Sequence, residues 1–366
     1  MNANRVFVTG MGCLSGLAQG VEATWARLCQ GHDAVRAFRR DGPVPNVRVD
    51  GVAVWMDEPD KAAFDKRFNA RLLEQMDLCS VYAVLAAFEA LESANLLDRP
   101  DIIHRAGVLV GCGGGGLASA CASSAHAIAE ATAMIRSGRL DLVIVGGSEA
   151  PLTLGSWMAW QGLRVLAKER CRPFSRDRDG MVLGEGGAIF VLESESHALA
   201  RRAQPLGEIL GIGASSDAHH MTHPNGTGAA HAIEAALADA RLADARLDRD
   251  EPLLISSHGT GTVANDQAEA AALRTVFGAA LDQSTVLATK SAHGHLCGAG
   301  GALELMIGLR ALRDRTAPPV LNFLGPAPDC PVPLALGAPQ PISHKILLSN
   351  SFAFGGLNSV LVARSC

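Results

Sequence analysis

CASSAHAIAEATAMIRSG, residues 121–138, and GAGGALELMIGLRALRD, residues 298–314, are two helical stretches that each open in small residues and run on as apolar helices. Their surroundings echo in the same order, since DLVIVGGSEA at 141–150 parallels HKILLSNSFAFGG at 344–356. Such echoes indicate an internal repeat with its boundary near Pro205, giving halves 1–205 and 206–366. A duplicated fold can place its active site where the halves meet, so residues from both belong in the search.

Working outward, strand-like runs stand at 5–10, 106–112, 141–147 and 187–193 in the first half. A second set follows at 206–214, 253–259, 285–291, 344–351 and 358–364. Helical stretches such as MDLCSVYAVLAAFEALESANL, 76–96, separate them. Continuous β-branched runs alternating with helices predict an α/β fold whose sheets are buried on both faces.

The composition fits a soluble enzyme. Of 366 residues, 48% are hydrophobic and 19% charged, while aromatics are only 4% and glycines number 39. The interior is therefore built from small aliphatic residues at close range. A net charge of −5, without a long block of one sign, argues against a nucleic-acid surface. No apolar run reaches the roughly 18 residues of a membrane span. The nine cysteines (13, 29, 79, 112, 121, 171, 297, 330 and 366) form no CxxC pair, and the N-terminus lacks the pattern of a secretory leader. Both features predict reduced thiols and a cytoplasmic location.

Cys121 draws attention first, because the free N–H groups and dipole at a helix start favour the thiolate. Taken alone, a Cys among Ala and Ser is more often an inert core residue. Two further motifs change that balance. HGTGTVANDQAEAAAL, 258–273, puts His258 at a strand end, and TKSAHGHLCGAGGALE, 289–304, carries Lys290 and His295. One thiol with two histidines from separate strand ends is the pattern of an activated nucleophile.

With these motifs the chain resembles the elongating β-ketoacyl-acyl carrier protein synthases of the thiolase-fold superfamily. The resemblance also covers VFVTGMGCLSG (6–16), RPFSRDRDGMVLGEGGAIFVLE (172–193), SSDAHHMT (215–222) and NSFAFGGLNSVLVAR (350–364), in the family's order. It implies a thiolase-like fold of two βαβαβαββ halves in a five-layered αβαβα sandwich. It also implies an acyltransferase that condenses an acyl-Cys with malonyl-acyl carrier protein, releasing CO2, in fatty acid or polyketide biosynthesis. In that assignment Cys121 is the nucleophile, His258 and His295 are the catalytic histidines, Lys290 is the motif lysine and Glu304 its partner. Backbone N–H groups of Cys121 and Phe354 form the oxyanion hole. Thr222, Thr260 and Thr262 line the phosphopantetheine tunnel, and Phe354 gates the acyl pocket. For Lys290 an orienting role is favoured over proton transfer, and the threonines read alternatively as helix caps. No metal or redox cofactor is implied, since phosphopantetheine arrives on the acyl carrier protein. The family also implies a homodimer, with a heterodimer as the variant.

Other features read down. VTGMGCLSG (8–16) and GCGGGG (111–116) lack the spacing and context of a dinucleotide or nucleotide loop. His219, His220 and His223 lack the partners of a zinc site. Lys61, Lys66, Arg67 and Arg71 suit an acidic carrier protein or simply a solvated helix face. The chain departs from the family at Leu357, where Thr is commoner, at Ser124, where many members carry Gly, and above all between Gly116 and Leu117. There the family has a longer segment, including most of the strand that delivers the nucleophile. Two alternatives therefore stay open: a non-catalytic partner subunit of a heterodimer, favoured by the short junction and opposed by the retained Cys and histidines, and a thiolase acting on coenzyme A esters. The latter needs a second cysteine, for which Cys330 and Cys366 are poorly placed.

Overall fold

All nine strand-like runs form strands in the structure, a computed structural model that describes residues 4–43, 48–60, 70–113, 118–243 and 251–366. In chain order they are β1 (Val6–Ser15), β2 (Gly107–Gly111), β3 (Leu142–Glu149), β4 (Gly186–Ser194), β5 (Gly207–Ser216), β6 (Leu254–Ser256), β7 (Thr285–Leu287), β8 (Ile346–Ala353) and β9 (Leu357–Ser365). Five helices cover them: α1 (Leu78–Ser93), α2 (Ser123–Arg136), α3 (Gly226–Ala243), α4 (Val263–Phe277) and α5 (Gly300–Asp314). The strands lie in the order β7-β6-β8-β9-β5-β1-β4-β3-β2. β5 and β1 are joined by a short antiparallel contact only, Val6 to Val8 against Ile209 to Gly207. The sheet is thus two mixed sheets that touch along one seam.

Burial explains the layering. Every residue of β1 is buried, as a strand covered on both faces must be. Between the sheets lie α2 and α5, whose Ile128, Ile135, Leu303 and Ile307 pack with Val143, Leu192, Leu287 and Leu347. On the outside, α1 puts Tyr82 and Leu85 against Ile144, Ile189 and Val191. Across the molecule, Ile233 of α3 and Leu273 of α4 pack on Ile255, Leu348 and Val360. Each large side chain buried in this way contributes about 1.5–3 kcal/mol. The result is the αβαβα sandwich.

Glycine pairs make the repeat physical. A Cβ on Gly10 or Gly12 of β1 would stand 2.1 Å from the carbonyl of Ala90 or Ala86 on α1. In β5 the same holds for Gly211 and Gly213, 2.2 Å from the carbonyls of Ala236 and Ala232 on α3. Both outer helices therefore lie directly on backbone, and VTGMG is a packing element rather than a nucleotide loop.

The halves differ in one unit. The second reads β5-α3-β6-α4-β7-α5-β8-β9, the full βαβαβαββ pattern. In the first, β1-α1-β2 passes directly to α2-β3-β4, so nothing described matches α4 and β7. The short junction falls at this place, and its residues 114–117 lie outside the described ones. Consequently β2 pairs only with β3 among the described residues, whereas its counterpart β6 is flanked by β7 and β8.

Candidate active site

Cys121 stands in a tight turn, Ala120–Ala122, just ahead of α2. Ala120 holds a left-handed φ of 48°, and Ser123 secures the turn by donating to the carbonyl of Ala120 at 2.7 Å. Among the described residues no strand leads directly into it, Ala118 and Ser119 being coil. The thiol is 6% exposed, so it is reached only along the cleft. Ser124, one of the departures from the family, is buried and its Oγ accepts the N–H of Ala302 at 3.0 Å, tying α2 to α5.

From the other half come both histidines. β6 ends at Ser256 and β7 at Leu287, earlier than the sequence patterns suggest, because the motif residues turn out of the sheet into the site. His295 Nε2 lies 3.0 Å from Cys121 Sγ, and the His258 ring meets that of His295 edge-on with centroids 5.3 Å apart. The N–H groups of His258 and Gly259 donate to the two oxygens of Glu269, each at 2.8 Å, and Asn350 donates to the same carboxylate at 3.0 Å. Lys290 Nζ donates to the carbonyl of His258 at 2.6 Å and pairs with Glu304. It addresses backbone rather than the thiol, which is an orienting geometry.

Electrostatics follow from burial. His258 and His295 are both held well below the ordinary imidazole value, chiefly by burial and next by the Lys290 charge. They are neutral at physiological pH. Each Nδ1 is buried without a hydrogen-bond partner among the described residues. An orphaned lone pair costs less than an orphaned N–H, so the proton sits on Nε2, facing the thiol in His295. His293 is different: its Nδ1 donates to the carbonyl of Gly294 at 2.8 Å and its Nε2 pairs with the Thr289 hydroxyl at 2.9 Å, which marks a structural residue. Burial pushes the Cys121 thiol up to about 11, opposed by the Lys290 charge and by the N–H groups of Phe354 and Cys121. Burial also raises the Glu304 carboxyl, with Lys290 opposing.

The cleft above Cys121 is lined by Trp160, Met221, Thr222, His258, Thr260, Thr262, His295 and Phe354, among others. Thr260 and Thr262 hydroxyls meet at 2.9 Å, and Thr262, while lining the cleft, also caps α4 by accepting the N–H of Asn265 at 3.4 Å. Phe354 faces Trp160 with centroids 5.7 Å apart, and Gly355 and Gly356 behind it have φ of 82° and 72°, a backbone only glycine adopts without strain. Leu357 packs beside Cys121, Ala122 and Ala353, giving this wall an apolar contact.

The structure brings together all the residues singled out for chemistry, and leaves others apart. His220 and His223 meet at the cleft mouth with ring centroids 4.5 Å apart, and among the described residues no group of three His, Cys, Asp or Glu is arranged for a metal. Cys330 and Cys366 do not line the cleft. Lys61, Lys66 and Arg67 lie outside the described residues, while Arg71 is exposed. No described helix is long and apolar enough to cross a membrane. Two residues escaped the sequence reading: Glu269, and Asp266, which accepts the N–H of Phe174 at 2.7 Å. Both acids, three residues apart in the Ala-rich NDQAEAAAL, are fully buried on one helix face, where charged residues are rarely found, so their spacing gave no signal of it.

Comparison with known proteins completes the picture. The family model described as β-ketoacyl synthase, N-terminal domain, matches residues 3–119 and 115–198, and that of the C-terminal domain matches 206–324. Nodulation protein E of Rhizobium meliloti (strain 1021) is 36% identical, covering 98% of each chain. The 3-oxoacyl-[acyl-carrier-protein] synthase 2 of Staphylococcus aureus (strain COL) is 30% identical over 98% of this chain and 97% of its own. Among solved structures, the ishigamide ketosynthase/chain length factor superposes with a TM-score of 0.89 at 28% identity, covering 100% of both chains. The alignment to nodulation protein E spans 405 positions against the 366 residues present here, so at least 39 positions of that relative have no counterpart. The two pieces of the N-terminal match meet at the junction before Cys121, where no counterpart of α4 and β7 stands among the described residues.

Proposed function

The chain belongs to the β-ketoacyl synthase family of the thiolase-fold superfamily, and we propose that its own Cys121, His258 and His295 carry the family's decarboxylative condensation. The observation behind this reading is the 3.0 Å approach of His295 Nε2 to the Cys121 sulfur, with neutral His258 alongside, at the floor of a cleft rimmed by hydroxyls.

In the proposed cycle an acyl group moves from a carrier thioester to Cys121 Sγ, and the thiol's proton leaves with the freed carrier thiol. The N–H groups of Cys121 and Phe354 hold the tetrahedral oxyanion, where such a donor contributes about 3–4 kcal/mol. Malonyl-acyl carrier protein then loses CO2, and the Nε2–H groups of His258 and His295 stabilise the enolate oxygen. The enolate carbon attacks the acyl-Cys carbonyl, and Cys121 leaves and regains a proton. Lys290, paired with Glu304, acts as a positioning residue through the His258 carbonyl. Thr222, Thr260 and Thr262 bond the amides of the pantetheine arm, and Phe354 swings on its glycines to admit the acyl chain. Every step uses protein groups and the carrier's own phosphopantetheine, without a further cofactor.

We also assign the edge of β2 that is unpaired among the described residues as the contact with a second chain of the same fold, in a homodimer. Val108 on this strand is 68% exposed, and an open apolar edge favours pairing. A relative solved as a ketosynthase/chain length factor supports a heterodimer as the variant outcome. Light scattering on purified protein distinguishes a dimer from a monomer that needs another subunit. Nine free thiols agree with a cytoplasmic enzyme.

Release of labelled CO2 from malonyl carrier tests the chemistry. Condensation requires both acyl donor and Cys121; retention of full condensation by Cys121→Ala refutes the assignment.

A further inference from the structure

Between α1 and the end of β2, two half-buried thiols meet. Cys79, in the first turn of α1, and Cys112, one residue past β2, bring their sulfurs to 3.9 Å, and both are free. The Cys79 thiol donates to the carbonyl of Ser148 at 3.3 Å, and the Ser148 hydroxyl donates back to the Cys79 carbonyl at 2.7 Å, so α1 is pinned to the end of β3. The Cys112 thiol leans on Oε1 of Glu149 at 3.6 Å. Oε2 of the same carboxylate accepts the N–H of Gly113 at 2.7 Å and that of Gly298 at 3.1 Å. Cys112 therefore sits on the short path to Cys121 and, through Glu149, against the start of the second central helix.

We propose that Cys79 and Cys112 are an oxidation site, closing to a reversible disulfide with hydrogen peroxide, and that closure slows the reaction of Cys121 with electrophiles. Bonding distance for two sulfurs is about 2.05 Å, so they must draw together by nearly half their separation. Cys112 then leaves Glu149, whose other oxygen holds the N–H groups of Gly113 and Gly298, so closure disturbs the contact between the residues past β2 and the turn ahead of α5, a turn that packs with the one bearing Cys121. The chemistry balances. One thiolate attacks peroxide, an S–O bond forms as the O–O bond breaks, and water leaves. The second thiolate attacks the resulting sulfenic sulfur, the S–S bond forms, and a second water leaves; two thiols are oxidised and one peroxide reduced. Burial pushes the Cys79 thiol up to about 12. The reaction does not depend on the condensation reading, and neither does its test.

Intact protein is treated with peroxide, its remaining thiols are alkylated with iodoacetamide over time, and unreduced peptides are mapped by mass. The wild type is expected to yield a peptide linked through Cys79 and Cys112, with Cys121 alkylated severalfold more slowly until dithiothreitol restores the rate. Cys79→Ser is expected to lack the link and to keep fast alkylation of Cys121 at the same peroxide dose. Recovery of Cys79 and Cys112 as separate alkylated thiols overturns the proposal. So does a link that leaves Cys121 alkylation unchanged, or an equal slowing in Cys79→Ser, which would trace the loss to oxidation of Cys121 itself.

Discussion

The starts of α2 and α5 are the same device used for opposite purposes. Each helix is led by a one-turn segment whose first residue has a left-handed φ, 48° at Ala120 and 43° at Cys297. The next residue is Cys121, the proposed nucleophile, in one half and Gly298 in the other. Gly298 cannot carry a side chain, because a Cβ there would stand 2.8 Å from the backbone nitrogen of Gly113 and 2.9 Å from Glu149. The first half's path to its thiol occupies the place that a second thiol would need. The supports differ as well: the backbone of His258 is braced by Glu269 and Lys290 and that of His295 is bonded to Val182 and Gly184, whereas Cys121 is held by a turn at the end of a shortened lead. His258 is thus fixed by two buried charged side chains of its own half, and Cys121 by the hydrogen bonds of its turn.

Removing the histidines makes the sharpest division. His258→Ala and His295→Ala are each expected to lower decarboxylation about 100- to 1000-fold, the effect of losing an oxyanion donor. Acyl transfer to Cys121 should persist in His258→Ala, as followed by adduct mass. Equal loss of both steps would erase the division of labour between halves.

Lys290→Met strands the buried Glu304 carboxyl and is expected to destabilise the fold by about 3–5 kcal/mol. Lys290→Met with Glu304→Leu should recover most of that stability in a denaturant titration, yet not the turnover, because the His258 carbonyl loses its donor. Recovery of turnover would show that Lys290 serves stability alone.

Gly298→Ala forces the Cys112–Gly113 backbone outward. A cost of about 1–3 kcal/mol is expected, as for overpacking generally, and slower loading of Cys121 should accompany it. An unchanged melting temperature would mean that the path to the nucleophile gives way freely.

The mildest outcome is a flat line. An exposed imidazole loses its neutral form around pH 6.5. Because His258 and His295 are held well below that, they stay neutral as pH falls from 8 to 6, and decarboxylation turnover should not halve near 6.5. A limb of that kind in the pH–rate profile would place one histidine in contact with water.

Much of this was legible in the sequence because it is written in local patterns. Continuous apolar runs located the strands, and small residues at Cys121 and Gly298 located both central helices. What stayed hidden is non-local. Glu269 bonds backbone eleven residues earlier through a helix turned inward, which spacing alone does not announce. Nor do the separate patterns at Cys79 and Cys112 reveal that two elements bring those sulfurs together. The short junction was visible as missing length, but only the repeat identified the lost unit as the partner of α4 and β7.

The central claim is that the shortened lead still presents Cys121 to the histidines. Intact-protein mass after incubation with acyl carrier thioesters tests it directly. One acyl group should add, map to Cys121 and be absent from Cys121→Ala; an unmodified mass across all chain lengths offered would contradict the account.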